Sequence, residues 1–311
     1  MQRLIGRYTG TKRGPLLICF GGMHGNEPAG IQALDLMFKM LEVEPITNPD
    51  FQFNGRLVGL RGNLKAIQRK QRYLVKDLNR QWTPENIERI QSAELRKLDA
   101  EDQELKALLN FVHTEVEDYQ PDRLIVLDLH TTTAQGGIFS ISSDDPESVR
   151  IGVELHAPVI KGFLDGIRGT TLHYFNNEHF EPETVGVVFE SGQHDDPLSV
   201  NRAIAALTNC MRTVGCVEAD HVENRHDQLL IEYSKHLPKV AELIEGHPIA
   251  PEDEFQMIPG YLNFQAVKKG EIIARDKNGP IEAKADGLLL MPLYQKQGED
   301  GFFLIKPLEG Y

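Results

Sequence analysis

The chain has 311 residues, 41% hydrophobic and 25% charged, enough for one large core and a smaller module, and its composition is neither disordered nor fibrous. Acidic residues outnumber basic ones 46 to 33, for a net charge of −13 and an isoelectric point near 5.3, which argues against nucleic acid or an anionic membrane as partner. The first residues lack the apolar core of a signal peptide, no run reaches the ~18 apolar residues of a membrane span, and Cys19, Cys210 and Cys216 form no Cys-x-x-Cys pair, so a reducing, cytoplasmic setting is expected.

Residues 2–8 read as a first strand, turned by Thr9 to Gly14 into the apolar run Leu16-Leu17-Ile18-Cys19-Phe20. A short apolar run bounded by glycines reads as a buried strand, and Cys19 within it as a small buried hydrophobe rather than a nucleophile. His24 and Glu27 follow in Gly22-Met23-His24-Gly25-Asn26-Glu27, at the strand exit where open α/β sheets place ligands. Imidazole and carboxylate are groups that zinc accepts, although His-x-x-Glu alone also fits an ordinary glycine-rich turn. Pro28 opens a helix carrying Ile31, Leu34, Leu36, Met37, Met40 and Leu41, completing a strand, loop and helix unit of an α/β domain.

Leu57 to Leu60 read as the next strand. Segment 61–80 then carries Arg61, Lys65, Arg69, Lys70, Arg72, Lys76 and Arg80 against a single acid, Asp77. A basic stretch on an acidic chain is a candidate for holding a carboxylate. Lys65, Lys70 and Lys76 read better as a solvated face, whereas Asn79-Arg80 pairs a neutral hydrogen-bonding side chain with a planar cationic fork. Thr83 and Pro84 open a long charged region to about residue 118, with Leu105, Leu108, Leu109, Val112 and Val116 as its apolar stripe; this region, His113 included, reads as structural.

Arg123 to Thr133 repeats the opening theme, an apolar strand whose exit presents His130, with Asp128 two residues earlier able to orient an imidazole. A strand near 136–142 and a helix after Ser143-Asp144-Asp145-Pro146 follow. Val185 to Phe189 then runs into Glu190, a carboxylate that burial without a partner would penalise, so it needs solvent or a task. Asp196-Pro197 caps a helix through Val200, Ile204, Leu207 and Met211 to Gly215. His194 reads as an exposed or packing residue. Residues 221–247 read as a polar, helix-compatible segment, and the turns at 268–270, 276–280 and 286–287 divide a small β module beyond Pro251.

His24 with Glu27, His130 and Glu190 thus stand at the ends of separate strands that one sheet edge can bring together. Two histidines and a glutamate around zinc leave a position for water, as in catalytic sites, and Glu190 can take a proton from that water and pass it to a leaving nitrogen. The chemistry this supports is hydrolysis of an amide or ester. A nucleotide-binding alternative for loop 21–30 lacks both Gly-Lys-Ser/Thr and Gly-x-Gly-x-x-Gly and is set aside.

The chain at this point resembles the succinylglutamate desuccinylase and aspartoacylase family, relatives of zinc carboxypeptidases. The matching pieces are Gly22 to Glu27, Arg72-Tyr73 with Asp77-Leu78-Asn79-Arg80, Asp128-Leu129-His130-Thr131-Thr132, and the Glu190 strand, in the family's order across most of residues 15–215. The resemblance implies an α/β fold, a carboxypeptidase-like mixed sheet flanked by helices, with a smaller C-terminal β-rich domain that narrows the entrance. Its boundaries would be a catalytic domain at 1–220, a connecting helical segment at 221–250 and the β-rich domain at 251–311.

By the same resemblance, His24, Glu27 and His130 would hold one zinc ion (Zn2+) per chain and Glu190 would be the general base and acid. Arg72 would polarise the scissile carbonyl, and Asn79 and Arg80 would bind a carboxylate of a small substrate such as an N-acetyl or N-succinyl amino acid. A carboxypeptidase acting on short peptides is the alternative, and a homodimer is implied by the resemblance alone. Two departures bear on the substrate. Aspartoacylases carry a further arginine shortly before the glutamate strand, but Thr170 to Phe189 holds neither arginine nor lysine, and Arg168 lies too far upstream to equate with it. The family's C-terminal substrate-gripping tyrosine has Tyr294 as its counterpart only in a loose alignment.

Overall fold

The apolar run at residues 16–20 forms the middle of a sheet in the computed structural model, which describes residues 1–218 and 227–310. In chain order the elements are β1 (Leu4–Thr9), β2 (Lys12–Gly21), α1 (Ala29–Thr47), β3 (Asn54–Arg61), α2 (Leu64–Arg69), α3 (Pro84–Ser92) and α4 (Ala100–Tyr119). They continue with β4 (Arg123–Thr132), β5 (Phe139–Ser142), α5 (Pro146–Glu154), β6 (Val159–Lys161), α6 (Thr171–Tyr174), β7 (Glu183–Gln193) and α7 (Leu198–Thr213). Beyond residue 226 come α8 (Asp227–Ser234), β8 (Val240–Pro248), β9 (Gln256–Met257), β10 (Ala266–Val267), β11 (Ile272–Asp276), β12 (Gly279–Glu282), β13 (Gly287–Leu290) and β14 (Asp300–Pro307).

Among the described residues, 11 strands form one mixed sheet in the order β1-β3-β2-β4-β7-β5-β6-β8-β14-β13-β10, and β12-β11-β9 form a second. Strands β3, β2, β4 and β7 run parallel at the centre of the first. Strands β8, β14, β13 and β10 extend it antiparallel, so the C-terminal β region is joined edge to edge with the rest.

Parallel strands covered on both faces need apolar residues on both. Leu16, Ile18 and Phe20 accordingly pack with Leu105 and Leu108 of α4 on one face, while Leu17 and Cys19 pack with Leu34 and Met37 of α1 and Leu207 of α7 on the other. All three cysteines are buried and unpaired. Region 84–118 divides at residues 93–99, where Ala93 turns extended and the Asp99 side chain accepts the Asp102 N–H at 2.9 Å, starting α4 afresh.

Within the segment read as helix-compatible, residues 221–226 lie outside the described residues, and α8 covers 227–234. Residues 240–247 instead form β8. Val240 and Ala241 are buried there, paired with β6 on one side and β14 on the other, and tertiary pairing overrides a weak local preference. No described helix is long and apolar enough to cross a membrane.

Candidate active site

Neighbouring strands β2, β4 and β7 all end at the same edge, with Gly21 beside Leu129 and His130 beside Glu190. Residues paired across adjacent strands point to the same face, so His130 and Glu190 stand side by side and Asp128 lies one step deeper on that face. After β2, Gly22 takes a φ of +71°, and a Cβ on Gly25 would lie 2.1 Å from the Ala66 backbone. Only glycine meets both demands at low cost, and the tight loop that results carries His24 and Glu27 to the strand ends.

Glu27 lies between the two imidazoles. Its Oε1 is 2.8 Å from His24 Nδ1 and its Oε2 is 2.9 Å from His130 Nδ1, and the Thr131 N–H donates to Oε2 at 3.1 Å. Behind the rings stand two further carboxylates. Asp77 Oδ1 is 3.1 Å from His24 Nε2, and Asp128 Oδ2 is 3.1 Å from His130 Nε2 while accepting the Thr171 hydroxyl at 2.8 Å. His24, Glu27 and His130 are each at most 4% exposed, and Asp77 and Asp128 are fully buried.

Burial favours the neutral form of each group, yet the partners prevail at most of them. Burial lowers the pKa of His130, but Asp128 and Glu27 outweigh it and hold the ring well above the usual imidazole range. Burial likewise opposes ionisation of Glu27 and Asp77, and the facing histidines, with Arg72 at Asp77, hold both well below the usual carboxylate range. Glu190 is the exception. It is 4% exposed, its Oε2 has no hydrogen-bond partner, and burial pushes its pKa up to about 8 against the pull of His130.

The basic segment meets the same cavity. Arg72 pairs with Asp77 at 2.8 Å and faces Glu27 at 3.7 Å. Asn79 is buried, with its Oδ1 accepting the Thr171 N–H at 3.0 Å, and Arg80 pairs with Asp300 at 2.6 Å. All three line the cavity with His24, Glu27, His130 and Glu190. Lys65 and Lys76 do not, being engaged by Gln103 and by Asp99 and Asp102.

Sequence reasoning missed Asp77 and Asp300. Asp77 figured there as the lone acid of a basic stretch and within the matching segment 77–80, with no role of its own, and its contact with His24 is non-local. His194 proves to line the opening beside Arg72 and Thr131, with Nδ1 2.7 Å from the Thr131 hydroxyl. Tyr294 sits elsewhere, its hydroxyl 3.0 Å from the Ile258 carbonyl and 3.1 Å from that of Tyr261. Arg168 is exposed at the mouth, near Arg80, Glu299 and Asp300. The loop between β13 and β14 closes over the site through Gln295, which accepts from Asn26 at 2.9 Å, and Gln297, which donates to the Tyr73 carbonyl at 3.1 Å.

One ligand atom from each of His24, Glu27 and His130 lies within 4.8 Å of the others, close enough to hold a metal ion. The donor set fits such an ion: two imidazoles with a carboxylate between them, each ring oriented from behind by an aspartate, is how metal-ligating histidines are held. The fold and site together define a mixed α/β protein with a buried cation-ready centre at the exits of its parallel strands. The succinylglutamate desuccinylase/aspartoacylase catalytic domain profile matches residues 13–210. The chain belongs to that family.

Two relatives are similar at 32% identity over 127 residues, an aspartoacylase from Danio rerio and a probable aspartoacylase from Nostoc sp.. The match covers 38% and 40% of this chain and only 34% and 38% of theirs. Among solved structures, a succinylglutamate desuccinylase/aspartoacylase from Rhodobacter sphaeroides has a TM-score of 0.63 at 17% identity, covering 96% of this chain and 87% of its own. The succinylglutamate desuccinylase from Vibrio cholerae has a TM-score of 0.62 at 17% identity, covering 95% and 82%. These structures share its fold.

Proposed function

We propose that the protein is a zinc-dependent deacylase that hydrolyses the amide bond of an N-acyl amino acid, for example an N-acetyl or N-succinyl amino acid. The observation that carries this reading is the placement of Glu27 between His24 and His130 with Glu190 buried beside them and its Oε2 without a hydrogen-bond partner. His24, Glu27 and His130 would hold one zinc. Zinc bound there would polarise the amide carbonyl and ease the ionisation of water.

Glu190 removes a proton from the attacking water at its free Oε2 and returns it to the leaving nitrogen. Its burial supports this role, because a carboxyl that both takes and gives a proton works best when its pKa lies near the working pH. Arg72, held by Asp77 at the cavity wall, stabilises the negative charge that develops on the carbonyl oxygen. Asn79 and Arg80 bind a substrate carboxylate, Arg80 through the donors that Asp300 leaves free. The loop between β13 and β14 lines the opening and is tied down at Asn26 and Tyr73, which favours a small substrate.

The test is a comparison of N-acetyl and N-succinyl amino acids with dipeptides, using protein supplied with zinc and protein treated with a chelator. Hydrolysis of an N-acyl amino acid that stops with chelator and returns with zinc is expected. Hydrolysis confined to dipeptides would replace this reading with the carboxypeptidase one.

A further inference from the structure

The deacylase reading leaves the substrate side groups open, and the cavity's charge and shape narrow them. Arg80 donates from Nη2 to Asp300 at 2.6 Å and from Nη1 to the Asn79 carbonyl at 2.8 Å. Arg80 and Asp300 are 11% and 13% exposed, so water screens the pair little. Glu299 lines the opening next to it. Arg72, the other guanidinium of the cavity, is already held by Asp77. Arg168 lies outside the inner cavity that contains Glu190, as do Asp300 and Glu299, and is exposed where these two meet Arg80 at the outer opening.

One substrate carboxylate can use the remaining N–H groups of Arg80, since a guanidinium has five. A second carboxylate that reaches the opening beside Arg80 meets Asp300 and Glu299 there, and one held inside faces the apolar part of the lining; like charges brought together in a partly dry site repel strongly.

Part of the cavity lining is apolar. Val188 shares a face of β7 with Glu190, Ile141 pairs with Val188 across the strands, and Phe163, Leu172 and Met291 complete the surface. Thr170 to Phe189, which supplies part of this wall, contains no arginine or lysine.

We propose that the substrate is an N-acyl amino acid with a single carboxylate and an aliphatic side group that lies on the Ile141, Val188 and Leu172 wall, and that Asp300 is a specificity residue that turns dicarboxylic substrates away from Arg80. This rests on the deacylase reading. Asp300 acts through Arg80 and touches no reacting atom.

The experiment compares N-acetylleucine with N-acetylaspartate in zinc-supplied wild type, Asp300→Asn and Asp300→Glu. Wild type should favour N-acetylleucine in kcat/KM by about tenfold or more. Asp300→Asn keeps an oxygen for Arg80 but removes the charge, and should narrow the ratio about tenfold by lowering KM for N-acetylaspartate. Asp300→Glu should restore the wild-type preference. A merely structural role would change both substrates alike, and a wild-type preference for N-acetylaspartate would likewise overturn the proposal.

Calorimetric binding of isovalerate and succinate reads the same selectivity without turnover. Tighter isovalerate in the wild type, with succinate binding gained in Asp300→Asn, upholds the selectivity even when no N-acyl amino acid is hydrolysed, a result that sinks the deacylase reading alone. Tighter succinate in the wild type overturns the selectivity even where hydrolysis succeeds.

Discussion

Asp77 holds His24 from behind: its Oδ1 lies 3.1 Å from Nε2, while Nδ1 on the other side of the ring lies 2.8 Å from Glu27. A carboxylate in this position fixes the ring's orientation and raises its basicity as a ligand. Asp77→Asn should therefore weaken zinc binding about 10- to 100-fold. Competition against a chelating dye measures it, with thermal unfolding to show that the variant is folded. An affinity within about twofold of wild type would mean that Asp77 serves only Arg72 and the turn at Leu78–Arg80.

Glu190 separates proton transfer from metal binding. Glu190→Gln preserves size and removes the base, so turnover should fall about 10²- to 10⁴-fold while zinc content stays at the wild-type level. Turnover within a few fold of wild type would remove Glu190 from the proposed mechanism.

The site was legible in the sequence where chemistry follows an apolar run. His24, His130 and Glu190 each stand just past such a run, and a strand exit is a position that period and flanking glycines reveal. The fold's parallel centre was legible for the same reason. Asp77 and Asp300 were hidden because their meaning lies in contacts across 53 and 220 residues, with His24 and Arg80 respectively. Strand β8 was hidden because its hydrogen bonds come from β6 and β14, and polar residues such as Glu242 and Glu245 mask the buried Val240 and Ala241.

Trp82 anchors the segment that carries Asn79 and Arg80. It is fully buried, with ring centroids 5.4 Å from Phe175 and 5.9 Å from Tyr174. Trp82→Ala should lower stability by about 3–5 kcal/mol through lost contacts and the cavity left behind. Urea unfolding followed by circular dichroism should show a lower midpoint with the slope kept. An unchanged midpoint would show that the aromatic cluster contributes little.

Acid stability should depend on Glu147 at the start of α5. Arg150 at 2.6 Å and Arg123 at 2.6 Å hold its carboxyl at about 2, below the ordinary 4.5. A carboxyl depressed in the folded state contributes stability above its unfolded pKa, and that contribution is lost as pH falls from about 4.5 towards 2. Glu147→Gln should thus be less stable than wild type at neutral pH, with the difference shrinking through this window. The pair is partly exposed, so the effect should be small and weaken further in high salt. A difference that is independent of pH would assign the loss to packing instead.

The most direct test of the central claim is the zinc content of purified wild-type protein and His24→Ala, measured by elemental analysis after reconstitution and removal of free metal. About one zinc per chain is expected in the wild type, and its loss in the variant. Wild-type protein that retains no zinc, or a variant that retains as much as wild type, would contradict a metal centre built on His24, Glu27 and His130.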